Sequence, residues 1–231
     1  GHAIVGAVLP NADPVHKVTI VPRGKAMGVT QQLPEKDKYL YRLDYILDRL
    51  AVIMGGRAAE ELIFDTATSG AENDLKQVRK MARKMVLDWG MGDQFKHISL
   101  GEDQGNVFLG DEIAKGREYS DDTAREVDEE IRRISEDAFQ RAVDTLTEHR
   151  EAFDQLAEML IEREEVPGKD VLNLVNGDTD EIGHMPTTNG AAASEENGSA
   201  DDHEPDEATV IEEDGESGEG RASGSADASG S

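Results

Sequence analysis

The chain has 231 residues and is strongly acidic, with 24 Lys and Arg against 50 Asp and Glu and a formal net charge of −26 at pH 7. This balance argues against nucleic acid or an anionic membrane surface as a partner, because phosphate contacts need clustered Lys and Arg. The chain has no cysteine, which excludes a disulfide framework, a Cys-ligated zinc and a Cys nucleophile. No apolar stretch approaches the roughly 18–20 residues that span a bilayer.

The negative charge is unevenly distributed along the chain. Residues 1–176 contain 23 basic and 34 acidic residues, whereas residues 177–231 contain one basic residue, Arg221, and 16 acidic ones. The second part has no aromatic residue, and it cannot bury enough apolar area to offset chain entropy. We expect one folded domain over 1–176 and a disordered acidic tail over 177–231. The tail is either a solvating or salt-adapted segment or a dedicated interaction segment.

The first forty residues predict a helix followed by a β-hairpin. Residues 1–9 have the composition of a buried helix, and Pro10 ends it. Residues 15–22 are β-branched and partly alternating, and residues 27–33 form a second strand candidate after a turn. The two strands together predict a hairpin with an exposed edge.

Beyond Pro34 the pattern becomes helical. Apolar residues recur at three- and four-residue spacing from Leu43 to Met54, and we expect Gly55-Gly56 to interrupt this helix. Residues 120–123 supply N-cap chemistry for a long helix, and Thr123 with Glu126 can close a capping box. Further helices are predicted over 57–64, over 72–88, from 123 to about 146, over 153–161 and over 167–175, with a long loop over 93–119. The expected fold class is mostly α, a helical domain with a small β-hairpin near the N-terminus.

Short strings within the helical body point to a particular chemistry. The opening string, Gly1-His2-Ala3-Ile4-Val5-Gly6, looks like the end of a His-Glu-x-x-His helix, in which two histidines at i and i+4 share one zinc. Taken alone, one histidine on an apolar helix is usually a satisfied core residue. The strings that follow it in order are Asp13–Gly24, Gly55–Glu61, Ser69–Leu75, Trp89–Met91, Val107–Gly110 and Ser120–Ala124.

This set of strings resembles the C-terminal peptidase domain of the FtsH family, the membrane-anchored ATP-dependent zinc metalloproteases. The resemblance covers about residues 1–175 and leaves out the acidic tail. It implies that His2 is the second histidine ligand of a catalytic Zn²⁺ and that Asp74 is the third, carboxylate ligand. An alternative for Asp74 is an acidic residue that favours the first turn of a helix. Glu60 and Glu61 are rival third ligands, or carboxylates that hold a ligand imidazole through its other ring nitrogen.

The resemblance also implies a larger assembly. It implies a homo-hexamer that degrades unfolded or membrane proteins, an ATPase module that binds ATP and Mg²⁺, and an N-terminal membrane segment. The corresponding location is the bacterial inner membrane, with this domain on the cytoplasmic side. No phosphate-binding Gly-x-x-x-x-Gly-Lys-Ser/Thr loop occurs among the 231 residues, so we expect ATP to bind outside this chain.

Gly1 is expected to mark a fragment, with the first histidine ligand and the general-base glutamate preceding it. We therefore expect the chain to be inactive alone. The alternatives from other classes are a non-catalytic helical scaffold or proteolytically dead relative, and an acidic cation-buffering protein that depends on the tail.

Two further expectations concern the strands and the remaining histidines. An unfolded substrate is expected to add as a strand to the edge of the strand over 15–22. The other five histidines, at positions 16, 97, 149, 184 and 203, show no spacing typical of a metal site.

Overall fold

The structure is a computed structural model, and it describes residues 1–22, 24, 28–33, 38–101 and 119–178. The predicted tail, apart from its first two residues, and the string Val107–Gly110 lie outside the described residues. The elements in chain order are α1 His2–Val8, β1 Val15–Thr19, β2 Val29–Gln32, α2 Leu43–Phe64, a 3-10 turn Ser69–Ala71, α3 Glu72–Leu87, α4 Asp121–Glu148, α5 Arg150–Arg163, β3 Glu165–Pro167 and α6 Gly168–Asn176. The prediction of a mostly α fold with a small β element is confirmed. None of the helices in these ranges combines the length and apolar character needed to cross a membrane.

The central element is α2, a continuous helix of 22 residues. Our prediction that Gly55-Gly56 interrupts it is wrong, because both glycines have helical hydrogen bonding and lie where α1 crosses α2. Glycine costs a helix about 1 kcal/mol relative to alanine, so the pair weakens the helix without ending it. The close approach of α1 explains why small residues stand there.

The sheet has three short strands in the order β2-β1-β3. The hairpin of β1 and β2 was predicted, and β1 pairs antiparallel with β2 over Lys17↔Gln31 to Thr19↔Val29. On its other side β1 pairs antiparallel with β3, where Val18 faces Val166. Our expectation of a free edge on β1 is therefore wrong. The strand β3, almost 150 residues further along the chain, pairs with that edge.

The core is built around α2, which packs against α1, α3 and α4, while α5 and α6 close it on the side of α1 and the sheet. Among its fully buried members are Ile4 of α1, Leu50 of α2, Met85 of α3 and Leu146 of α4. Apolar side chains removed from water contribute about 25 cal/mol per Å², and this packing holds α1 and α3 against the same helix. The two helices that carry the candidate metal ligands are thus fixed relative to each other.

The long helix α4 begins at Asp121, within the stretch 120–123 that was expected to hold its N-cap. Its N-cap is Ser120, whose Oγ accepts a hydrogen bond from the backbone N–H of Thr123 at 3.2 Å. Residues 120–123 were expected to supply the N-cap, and Ser120 is the residue that does so, with two aspartates after it at the positive end of the helix dipole.

A buried carboxylate joins three parts of the fold. Asp48 of α2 is fully buried, and its Oδ1 lies 2.6 Å from Nη2 of Arg141 on α4. Its Oδ2 accepts hydrogen bonds from the backbone N–H and the side-chain amide of Asn11, each at 3.0 Å. A buried charge is stable only when paired and hydrogen-bonded, so this cluster fixes the end of α1 to α2 and α4.

Candidate metal centre

The imidazole of His2 is held in one orientation by the backbone of α2. His2 is the first residue of α1, and its Nδ1 lies 2.8 Å from the carbonyl oxygen of Val52. A carbonyl oxygen only accepts, so Nδ1 carries the proton and donates it. The neutral ring then presents the lone pair of Nε2, the form in which a histidine binds a metal.

Asp74 approaches the same nitrogen from another helix. It lies in the first turn of α3, after the 3-10 turn that connects this helix to α2. Its Oδ2 is 3.3 Å from Nε2 of His2, and the side chains of His2 and Asp74 retain 32% and 16% of their exposure. The sequence placed these two residues 72 positions apart as candidate ligands, and the fold brings them together.

The separation of the two atoms fits a shared tetrahedral metal ion. Zinc binds imidazole nitrogen and carboxylate oxygen at about 2.0–2.2 Å, so two ligand atoms on one tetrahedral ion are about 3.3 Å apart. The observed distance from Nε2 to Oδ2 is 3.3 Å. The donor set, one imidazole and one carboxylate, also suits zinc. His2 and Asp74 therefore fit a zinc ion as two of its ligands.

The glycine pair of α2 makes room for this arrangement. A Cβ at Gly55 would lie 2.9 Å from the backbone of Gly1 and His2, and a Cβ at Gly56 would lie 2.5 Å from Nε2 of His2. A side chain at either position would displace α1 or the imidazole. Sequence reasoning missed this role and that of the Val52 carbonyl, although adjacent glycines inside a helical pattern are a recognisable sign of close packing.

Glu60 and Glu61, the rival ligands, make other contacts. The carboxylate of Glu60 accepts hydrogen bonds from the hydroxyl of Thr68 at 2.6 Å and from its backbone N–H at 3.2 Å. Glu61 is 52% exposed and lies 3.9 Å from a guanidinium nitrogen of Arg57. Neither holds Nδ1 of His2, a role we considered for them, because the nearer Val52 carbonyl takes it. Glu60 instead braces the loop that leads to Asp74.

The other histidines lie away from this centre. His16 in β1 and His97 are exposed, and His149 is at the junction of α4 and α5. His184 and His203 lie outside the described residues. Within the described parts of the chain, no three His, Asp or Glu side chains form a group able to hold a metal, so His2 and Asp74 stand as a pair.

Comparison with known proteins agrees with the motifs and the geometry. The family model described as Peptidase family M41 matches residues 1–174. Over all 231 residues the chain is 97% identical to the ATP-dependent zinc metalloprotease FtsH 2 of Salinibacter ruber, covering 34% of that protein. It is 43% identical over 197 residues to FtsH 3 of Petrotoga mobilis, covering 85% of this chain and 30% of that protein. A third relative, FtsH of Kosmotoga olearia, is 48% identical over 176 residues, covering 76% of this chain and 27% of that protein.

The chain thus spans about a third of the length of the curated relatives it matches. The family model covers residues 1–174, which include the helix with His2, the glycine pair and the helix with Asp74. The resemblance to the peptidase domain of the FtsH proteases is confirmed, and the chain belongs to peptidase family M41.

Proposed function

We propose that this chain is the zinc-dependent endopeptidase part of an ATP-dependent protease. The observation that carries the proposal is the 3.3 Å approach of His2 Nε2 to Asp74 Oδ2, with the imidazole oriented by the carbonyl of Val52. The names of the relatives, ATP-dependent zinc metalloproteases, support the reaction class. His2 and Asp74 were first identified as candidate ligands through the resemblance, and the fold brings their side chains together.

The chain's own residues prepare the site for a metal. Val52 fixes the His2 tautomer, so Nε2 is free to bind without a proton having to leave. Asp74 supplies negative charge and an oxygen ligand from the rigid first turn of α3. Zinc bound here would supply Lewis-acid activation of a water molecule and of the substrate carbonyl. Glu60, through Thr68, keeps the loop before α3 in place and so positions Asp74.

A catalytic zinc site has three protein ligands and one open position. We propose that the remaining histidine and the general-base glutamate lie outside the 231 residues, on the turn of helix before His2. The same resemblance supports a homo-hexamer that acts on unfolded or membrane proteins, with a separate ATPase module that binds ATP and Mg²⁺. It also supports a bacterial membrane anchor with the peptidase domain on the cytoplasmic side.

Zinc affinity measured by calorimetry on single variants tests the proposal. We expect the chain to bind one zinc, and His2→Gln and Asp74→Asn each to weaken binding by more than about 10–100-fold, the loss that removing a mere outer-shell partner of a metal ligand causes. Glu72→Gln is the matched control, because Glu72 lies in the same turn of α3 as Asp74 but pairs with Lys76. It should bind zinc as the unaltered chain does.

A casein-cleavage assay tests the second part of the proposal. The chain alone should leave casein intact, whereas a longer protein that includes the preceding residues should cleave it and lose this activity with Asp74→Asn. If Asp74→Asn and Glu72→Gln bind zinc equally well, Asp74 is not a ligand. If the longer protein binds zinc but never cleaves, the alternative of a proteolytically dead relative is the right one.

A further inference from the structure

The outward face of α3 is basic, although the chain as a whole is strongly acidic. Arg79, Lys80, Arg83 and Lys84 are all exposed on this helix. Their spacing puts Arg79 beside Arg83 and Lys80 beside Lys84, because residues four apart are neighbours on a helix surface. We call these four residues the α3 basic face.

The cations of this face lack acidic partners among the described residues. Within residues 1–22, 24, 28–33, 38–101 and 119–178, no carboxylate lies within ion-pair distance of any of the four, and the Nζ of Lys84 lies 5.9 Å from the ring centroid of Trp89. By contrast, most other exposed cations here are paired, including Arg125 with Asp122 and Arg132 with Glu136. Like charges four residues apart destabilise a helix, so an anion bound on this face would relieve their repulsion.

A suitable anion is present in the same chain. Residues 195–219 contain twelve acidic residues and no Lys or Arg. This stretch belongs to the part of the chain outside the described residues, which begins at position 179. Its charge is opposite to that of the α3 basic face, and its density of nearly one acid for every two residues matches the close spacing of the four cations.

We propose that the acidic segment 195–219 docks on the α3 basic face. The chain connecting them is long enough. An unstructured chain of 28 residues, the separation of positions 178 and 206, has an average end-to-end distance of about 30 Å, whereas a domain of this size has a radius of about 20 Å. Tethering also raises the effective concentration of the segment to the millimolar range for a short flexible linker, which favours it over a free anionic partner.

The proposed contact is electrostatic, so its strength depends on the salt concentration. Exposed ion pairs are individually weak and are screened by salt, so the segment exchanges on and off the helix. Asp74 lies one turn before the basic face on the same helix. Since an α-helix has 3.6 residues per turn, the α3 basic face points away from Asp74, and docking on it leaves the candidate metal centre uncovered.

Paramagnetic relaxation in the full chain of 231 residues tests this proposal. The chain has no cysteine, so a nitroxide attached to Ser217→Cys is the only label. At low salt we expect broadening of the backbone amide signals around Arg79 and Lys84, and its loss at 1 M salt, where the Debye length is about 3 Å. Replacing all four residues of the α3 basic face with Gln should lower the docked population about tenfold.

The matched control removes the same number of charges elsewhere. Lys96, Arg125, Arg132 and Arg150 are exposed and already paired with aspartate or glutamate, so their combined replacement by Gln should leave the broadening of α3 unchanged. Equal loss in both variants would mean that only net charge matters and would overturn the proposal. So would the absence of broadening at low salt, or binding of anionic phospholipid vesicles through the four cations with no contact from the label.

Discussion

Gly56 and His2 are in contact: a Cβ at Gly56 would lie 2.5 Å from Nε2 of His2, the atom that faces Asp74. The neighbouring Gly55 meets the backbone of α1 instead. The two adjacent glycines therefore have different roles. The absence of a side chain at Gly55 lets α1 pack closely against α2, and its absence at Gly56 leaves room for the imidazole ring of His2. The geometry of the candidate metal centre depends on the absence of a side chain in the middle of α2.

Gly56→Ala should abolish tight zinc binding while the domain remains folded. The added methyl pushes the imidazole away, which breaks the bond from Nδ1 to the Val52 carbonyl and separates Nε2 from Asp74. Alanine itself favours the helix by about 1 kcal/mol, so helix content should not fall. Calorimetry with zinc and circular dichroism check both parts. Glu61→Ala, an exposed change on α2, is the control and should bind zinc normally; equal affinities in the two variants would contradict the prediction.

Leu146→Ala should destabilise the domain by about 3 kcal/mol. Leu146 of α4 is completely buried, and removal of a buried leucine leaves a cavity that costs about 2–5 kcal/mol. Leu40→Ala is the matched control, because Leu40 is 88% exposed and its loss should change the free energy of unfolding by less than about 0.5 kcal/mol. Urea denaturation measures both. Similar midpoints would show that α4 does not pack on α2 as described.

Arg141→Gln should cost about 3–5 kcal/mol, because it leaves the buried carboxylate of Asp48 without its cation. Arg132→Gln removes an exposed ion pair with Glu136 on the same helix and should cost well under about 1 kcal/mol. The double variant Asp48→Asn, Arg141→Gln should recover part of the loss. Additive effects of the two substitutions in denaturant would indicate that the residues do not interact.

Acid should weaken the domain partly through Glu130. The hydrogen bond from Arg133, with a further one from the backbone N–H of Asp93, holds the pKa of the Glu130 carboxyl below its ordinary value. The folded pKa lies below the unfolded one, so this contribution is complete above the ordinary glutamate pKa of 4.5 and is lost as the pH falls through the folded value. Glu130→Gln should flatten that acid-side slope in denaturation curves, whereas the exposed neighbour Glu129→Gln should retain it.

Local sequence patterns predicted the helices well but not the contacts between distant segments. The spacing of apolar residues predicted α2, and Gly and Pro marked the turns, since both signals are local. The pairing of β3 with β1 could not be predicted from the sequence, because a strand of three residues that ends in Pro167 has no detectable alternation of apolar and polar residues. For that reason our prediction of a free edge on β1 was wrong.

The candidate metal centre likewise combines features that had a sequence signal with features that had none. His2 and Asp74 were identified through a resemblance spread over several motifs, and their separation of 3.3 Å depends on packing of α1 and α3 against α2. The role of the Val52 carbonyl had no sequence signal, since every residue has a backbone carbonyl. The glycine pair did have one, and we misinterpreted it as a break because the helix propensity of glycine is low.

Anomalous diffraction at the zinc edge, from crystals of the protein grown with zinc, tests the ligand assignment most directly. We predict one strong peak about 2.0–2.2 Å from both Nε2 of His2 and Oδ2 of Asp74, at the bond lengths of protein zinc sites. The peak should disappear in Asp74→Asn crystals and persist in Glu72→Gln crystals. A peak bound to Glu60 or Glu61 instead, or a zinc on His2 that leaves Asp74 uncoordinated, would contradict the assignment.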